Sequence, residues 1–302
     1  MIVDVHAHYY PRAYLEAIDR TDVPSPIAAP LASQSLKERL GLMDAQGIDR
    51  QILSVSQAQP YLARAGDAAA AARLGNELYD DLCDDYPGRF SYFAALPLAH
   101  VEESLAEISR VDGSDHVVGF TLGCSIGDVQ LDDVRLEPVF EELDRRRAVL
   151  FLHPVGQTNV GFLRGHNLAW SVGATFEDTA AALRLAEVRV PQRFPQLRVI
   201  VPHLGGTLPF LSARLARKGS DHVLEGLRTF YYDTVSGSVD ALNCTCRAFG
   251  ADRLLFGTDY PFCDATEFAR HLSYLDKSEL REDQLALVRG ATASGLLGLD
   301  RG

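Results

Sequence analysis

Long apolar runs, basic clusters and paired cysteines are what this sequence lacks. No apolar stretch approaches the roughly 18 residues needed to cross a bilayer. The start, Met1-Ile2-Val3-Asp4-Val5-His6, has neither the basic segment nor the apolar segment of a secretory leader. A membrane association is therefore not expected, and a cytoplasmic location is. Positive charge is scarce as well: 29 Lys+Arg stand against 41 Asp+Glu, a net charge of −12, and the longest basic run is Arg145-Arg146-Arg147. Such a balance offers no footprint for a phosphate backbone, which argues against a nucleic-acid partner. The five cysteines (Cys83, Cys124, Cys244, Cys246, Cys263) are odd in number and irregularly spaced. Reduced thiols are expected, not a disulfide framework.

What the 302 residues do contain is a core-forming composition, 47% hydrophobic and 23% charged. Short β-branched and aromatic runs recur at Ile2–Val5, Gln51–Val55, Phe90–Ala95, Val117–Leu122, Ala148–Leu152, Arg198–Val201, Phe230–Asp233 and Leu254–Phe256. They are apolar on both faces, as strands covered on both sides are, which predicts a parallel sheet. Helical patterns alternate with them: Ser35–Gln46, Ala68–Asp85, Val101–Arg110, Asp132–Arg147, Thr175–Phe194, Thr207–Lys218 and Ser238–Phe249, with Thr266–Leu275 and Glu279–Arg289 at the end. Strand-then-helix repetition predicts an α/β chain of one domain, residues 1–302, folded as a (β/α)8 TIM barrel. An open doubly wound sheet is the alternative. Two connections exceed a plain crossover, Ala7–Gln34 after the first strand and Pro154–Ala174 after the fifth. In a barrel both would cover the C-terminal mouth, where barrel active sites lie.

Metal-competent side chains gather at predicted strand ends. The first strand runs into His6-Ala7-His8, and residues two apart in extended chain point to one side. The fifth ends at His153, the sixth leads to His203, and the eighth leads to Asp259. In a barrel these five side chains meet on one rim, which predicts a divalent-metal site.

The same residues carry a family resemblance. His6-Ala7-His8, the single histidines after strands five and six, and Gly257-Thr258-Asp259-Tyr260-Pro261-Phe262 resemble the amidohydrolase superfamily. Within it the chain is similar to the branch of aminocarboxymuconate semialdehyde decarboxylase and related metal-dependent decarboxylases. Met43-Asp44-Ala45-Gln46-Gly47-Ile48, Phe194-Pro195-Gln196-Leu197-Arg198-Val199 and His203-Leu204-Gly205-Gly206-Thr207-Leu208-Pro209-Phe210 support that branch. The chain departs from it by a shorter segment between Pro11 and Leu36 and by Pro154-Val155-Gly156, which lacks an aromatic residue after the proline. The resemblance implies that His6, His8, His153 and Asp259 hold one divalent ion, with zinc the default for a His-rich set and manganese used by some relatives. It assigns His203 to proton transfer beside the open coordination position, with Asp259 also counted as catalytic. It further implies a homodimer in which Arg214 reaches the neighbouring site to clasp a carboxylate.

The expected activity is non-oxidative decarboxylation of a small unsaturated or aromatic carboxylic acid. The alternative is a metal-dependent hydrolase or hydratase acting on a small carbonyl compound or unsaturated acid; a barrel used only for binding leaves His203 without a role. Arg164 and Trp170 in the second long loop, Phe262 and Ser125 are expected to touch substrate. Gly123-Cys124-Ser125-Ile126-Gly127 also matches the nucleophile elbow of serine hydrolases, but Gly127-Asp128 interrupts the chain where an elbow requires a helix. Cys244-Thr245-Cys246 reads as helix packing, since residues two apart diverge on a helix. His100, His116, His222 and His271 read as helix or loop side chains, whereas His166 shares the loop of Arg164.

Overall fold

The computed structural model describes residues 1–18, 35–156, 161–216 and 221–299. Eight parallel strands follow one another in chain order: β1 (Val3–His8), β2 (Arg50–Ser54), β3 (Phe90–Ala95), β4 (Val117–Gly123), β5 (Val149–His153), β6 (Arg198–Val201), β7 (Tyr231–Asp233) and β8 (Leu254–Leu255). The last returns to the first. Val5 N donates to Phe256 O at 2.9 Å, Asp259 N donates to His6 O at 2.7 Å, and Ala7 bridges Tyr260. The expected barrel is the fold, and its closure places Asp259 directly against the strand that carries His6.

Thirteen helices among the described residues surround the strands: α1 (Arg12–Ile18), α2 (Leu36–Gln46), α3 (Ala65–Asp85), α4 (Val101–Val111), α5 (Glu137–Arg145), α6 (Ala174–Glu187), α7 (Val190–Arg193), α8 (Leu208–Leu215), α9 (Asp221–Leu227), α10 (Val239–Phe249), α11 (Ala265–Ser273), α12 (Glu282–Ala286) and α13 (Thr292–Leu297). Sequence chemistry sets several of their ends. Ser35, Ser238 and Asp264 accept from backbone N–H groups three residues on, at Glu38, Ala241 and Glu267, and so satisfy orphan donors. At the other end of α2, Gly47 takes the left-handed conformation (φ 66°) that closes a helix.

Val3, Val5, Ile52, Phe93, Val149, Phe151, Ile200 and Leu255 form one cluster within the barrel, and Ala293 and Leu297 of α13 close it from below. The other face of the strands packs on the helices through a larger cluster that includes Tyr14, Tyr79, Phe120, Leu152 and Tyr232. Two-sided burial is why the strands read as continuous apolar runs.

The helices differ from the pattern in five places. The first long connection contains α1, whose Tyr14 is buried and donates to Ala58 O; the rest of it, 19–34, lies outside the described residues. The expected helix Thr175–Phe194 breaks into α6 and α7 because Arg189 turns left-handed (φ 62°) ahead of Pro191. Thr207–Lys218 is α8, with Lys218 outside the described residues. A further helix, α9, precedes β7, and α12 passes through the π-helical turn Leu287–Ala291 into α13. Ser125–Ile126 pairs antiparallel with Val129–Gln130 as a small ribbon after β4. No helix starts at Ser125, so the elbow-like motif is not an elbow.

Candidate active site

The barrel gathers four imidazoles at its C-terminal mouth. Ring centroids are 4.8 Å apart for His6 and His8, 4.8 Å for His8 and His153, 5.1 Å for His6 and His153, and 5.2 Å for His6 and His203. Asp259 closes the group. Its Oδ1 lies 3.2 Å from His6 Nε2 and 3.0 Å from His8 Nε2, and its Oδ2 lies 3.9 Å from His203 Nε2. Donor atoms of His6, His153, His203 and Asp259 all fall within 4.8 Å of one another. His8 approaches the same carboxylate from the neighbouring position on β1.

Each ring is fixed by its other nitrogen. His6 Nδ1 donates to Asp233 Oδ2 at 2.7 Å, and His8 Nδ1 lies 2.9 Å from Ser54 Oγ. His153 Nδ1 donates to Pro154 O at 2.8 Å and has Ser56 Oγ at 3.0 Å. Nδ1 of His203 donates to Asp178 Oδ2 at 2.8 Å. A carboxylate or carbonyl accepts only, so Nδ1 of His6, His153 and His203 carries a proton, and at His6 and His153 Nε2 keeps its lone pair for the cluster.

At His6 this leaves a mismatch that identifies what the site is built for. Its Nε2 is buried and has no hydrogen-bond partner, although Asp259 Oδ1 faces it. His8 Nε2 reaches the same oxygen at 3.0 Å, so it is the buried His6 Nε2 that is left without a partner, and a cation between it and the carboxylate would satisfy it. Imidazole nitrogens with one carboxylate suit a divalent transition ion.

The electrostatics agree. Burial opposes charge on His6, but Asp233 and Asp259 outweigh it and lift its pKa to about 9. Burial prevails at His8, which falls to about 4, and, with the charge of its imidazole neighbours, drives His153 well below the usual histidine range. Asp259 stays well below the carboxylate range: burial would raise it, yet His6, His203 and His8 hold it ionised. His203 is raised well above the histidine range because Asp178 outweighs its burial.

Beneath the rim, Asp4 ties the closing seam. Its carboxylate accepts from Thr258 N at 3.0 Å, Thr258 Oγ1 at 2.7 Å and Gln51 Nε2 at 2.8 Å. Arg39, buried on α2, donates to Gln51 Oε1 at 2.8 Å and to His8 O, and stacks on Tyr260 at 4.5 Å. Burial of Asp4 raises its pKa to about 6.

A cavity of about 280 Å³ opens from the cluster, lined by Gln57, His153, Pro154, Asn167, Trp170, Ala174, His203, Asp259 and Phe262. Trp170 packs so closely on Gly156 that a Cβ there would lie 2.2 Å from its ring. That clash explains the glycine. Phe262, also in the lining, lies 5.7 Å from the His8 ring. Of the residues expected at the substrate, Trp170 and Phe262 line this cavity. Ser125 is buried in the ribbon outside the lining, and Arg164 and Arg214 are exposed outside it. Sequence reasoning misses Asp233 and Asp178, both fully buried. Asp233 ends β7, the same position that marks the other site residues, whereas Asp178 lies mid-helix with no such signal.

The amidohydrolase family pattern matches residues 3–299. The 6-methylsalicylic acid decarboxylase of Penicillium expansum is 28% identical over 310 residues, covering 96% of this chain and 94% of that protein. The 2-amino-3-carboxymuconate-6-semialdehyde decarboxylase of Dictyostelium discoideum is 28% identical over 276 residues, covering 87% and 76%. Among solved structures, the dihydroxybenzoic acid decarboxylase of Polaromonas sp. JS666, with bound manganese and the inhibitor 2-nitroresorcinol, superposes with a TM-score of 0.85 at 22% identity, covering 100% of this chain and 98% of that one. With its pattern matched from the first strand to the last helix, the chain belongs to the amidohydrolase family.

Proposed function

We propose that this chain removes carbon dioxide, without oxidation, from a small aromatic or unsaturated carboxylic acid, using one divalent metal ion. The observation that carries the reading is His203. Its Nδ1 is tied to Asp178, leaving Nε2 as the titratable atom on the cavity side of the imidazole–carboxylate cluster. Decarboxylating relatives of similar length favour this chemistry over hydrolysis or hydration.

His6, His8, His153 and Asp259 are the residues that would hold the ion. When bound, it supplies positive charge that draws in an anionic substrate and steadies charge developing during reaction. The His-rich donors suit zinc, and manganese occupies the Polaromonas relative. Trp170 and Phe262 present flat walls for an unsaturated acid, and the cavity lies at the small end for ligand sites. His203 passes its Nε2 proton to the carbon that bears the carboxylate. The bond to the carboxylate carbon then breaks, its electron pair stays with the substrate, and carbon dioxide leaves. The imidazole regains its proton from solvent.

A homodimer in which Arg214 completes the neighbouring site is part of this reading: Arg214 is exposed at the end of α8, and Phe210 on the same helix is 84% exposed. Within the chain, Arg270 lines the adjoining hollow that shares His203, Asp259 and Phe262 with the cavity. The five free thiols suit a reducing cytoplasm. Hydroxylated benzoic acids and unsaturated dicarboxylic acids supplied in ¹⁸O-labelled water test the reaction class. One carbon dioxide per substrate consumed, with no label in the organic product, is expected. Labelled organic product without carbon dioxide would overturn decarboxylation in favour of hydrolysis or hydration.

A further inference from the structure

His203 sits in a backbone that cannot hold itself. From His203 to Gly206 four successive residues take left-handed φ angles of 53°, 56°, 76° and 60°. His203 and Leu204 carry a Cβ, so each is strained there. The restraint comes from one stripe of α6, at the i, i+3, i+4 spacing that puts Thr175, Asp178 and Thr179 on one face. Gly206 lies so close to Thr175 O that a Cβ would stand 2.1 Å from it. Thr179 Oγ1 accepts from Thr207 N at 2.8 Å and lies 2.9 Å from Thr207 Oγ1. Between these two contacts Asp178 reaches the His203 ring.

We propose that Asp178 is the positioning residue that fixes the orientation and tautomer of His203, keeping Nδ1–H engaged so that Nε2 alone faces the cavity. Asp178 is fully buried, and a buried carboxylate must be met by donors. Its Oδ2 takes the imidazole N–H at 2.8 Å, and its Oδ1 takes the Cys124 thiol at 3.5 Å. Cys124, in the elbow-like stretch after β4, thereby serves as a weak donor that keeps the second oxygen occupied and the first aimed at the ring. The backbone of His203 is anchored separately, its N donating to Asp233 Oδ1 at 2.9 Å. One carboxylate therefore holds the main chain and another holds the ring. An imidazole without its Nδ1 acceptor is free to turn, or to gain and lose its proton at Nδ1 instead of Nε2, which moves the exchangeable proton away from the cavity.

The inference rests on His203 being the proton donor of the proposed reaction. Two measurements separate the two claims. The first is ¹⁵N–¹H NMR of the zinc-loaded, unsubstituted protein, with the His203 signals assigned by their loss in His203→Asn. A hydrogen-bonded Nδ1–H at His203 is expected, and a ring protonated on Nε2 alone would overturn the positioning role even if the substituted chains below fail to fold. The second is kinetics of Asp178→Asn with metal content measured alongside. A fall in kcat of about tenfold or more, with KM and metal content unchanged and the Nδ1–H signal lost, is expected. Unchanged kcat with the signal retained would overturn it. If instead His203→Asn keeps its metal and full turnover, the reading of His203 as donor fails while the NMR result on its tautomer still stands.

Discussion

The two ends of the barrel are built from the same strands and do opposite things. At the N-terminal end the interior is apolar, with Val3, Ile52, Phe93, Val149, Ile200 and Leu255 packed above Ala293 and Leu297. At the C-terminal end the same strands run out into His6, His8, His153, Asp233 and, just beyond, His203 and Asp259. A hollow of about 460 Å³ beside the N-terminal end, lined by Val117, Arg146 and Gly298 among others, matches in size the hollow of about 450 Å³ at the mouth that shares His203, Asp259 and Phe262 with the 280 Å³ cavity. Size therefore does not locate the chemistry. Backbone strain does better. Of the eight non-glycine residues with positive φ among the described residues, six (Ser56, His166, Asn167, His203, Leu204 and Asp259) follow barrel strands, while Arg147 and Arg189 precede them. Strain and buried charge coincide at one end, and close packing occupies the other.

Substitutions at the two ends should separate these roles. The largest effect is expected at the mouth. Asp259→Ala removes the carboxylate that faces His6 and His8, and both bound metal and turnover should be abolished, read by elemental analysis and product formation. Retained metal with full activity would dissolve the distinction between the ends. A smaller effect of a different kind is expected below. Leu297→Ala opens the stopper of the barrel and should cost about 2–4 kcal/mol of stability, seen in denaturant unfolding. Its metal content and kcat should stay those of the unsubstituted chain. Loss of activity in the fully folded Leu297→Ala protein would show that the lower end also tunes the site.

Much of this asymmetry is legible in the sequence, for physical reasons. Strands buried on both faces must be continuously apolar, so all eight stand out, and their last residues are then marked by being ionisable. That logic finds His6, His8, His153, His203 and Asp259. It also covers Asp233, the last residue of β7, although one aspartate after two tyrosines does not by itself look like part of a metal site. Asp178 escapes it altogether. Its role depends on α6 lying over the loop after β6, a packing relation that leaves no periodic trace in α6. The same holds for α1, a short helix inside a connection whose length announces only that something covers the mouth, and for α9, inserted between α8 and β7. Arg164 and Ser125 do lie on mouth-side loops, and the loops hold both outside the cavity lining.

The metal centre is the point on which the rest depends, and anomalous diffraction at the metal edge, from crystals loaded with zinc or manganese, examines it directly. One peak is predicted in the gap between His6 Nε2 and Asp259 Oδ1, bonded also to His8 and His153, with His203 outside bonding distance and facing the cavity. No peak there, or a peak bonded to His203 in place of His8, would contradict a metal-dependent decarboxylase in which His203 is kept free to move the proton.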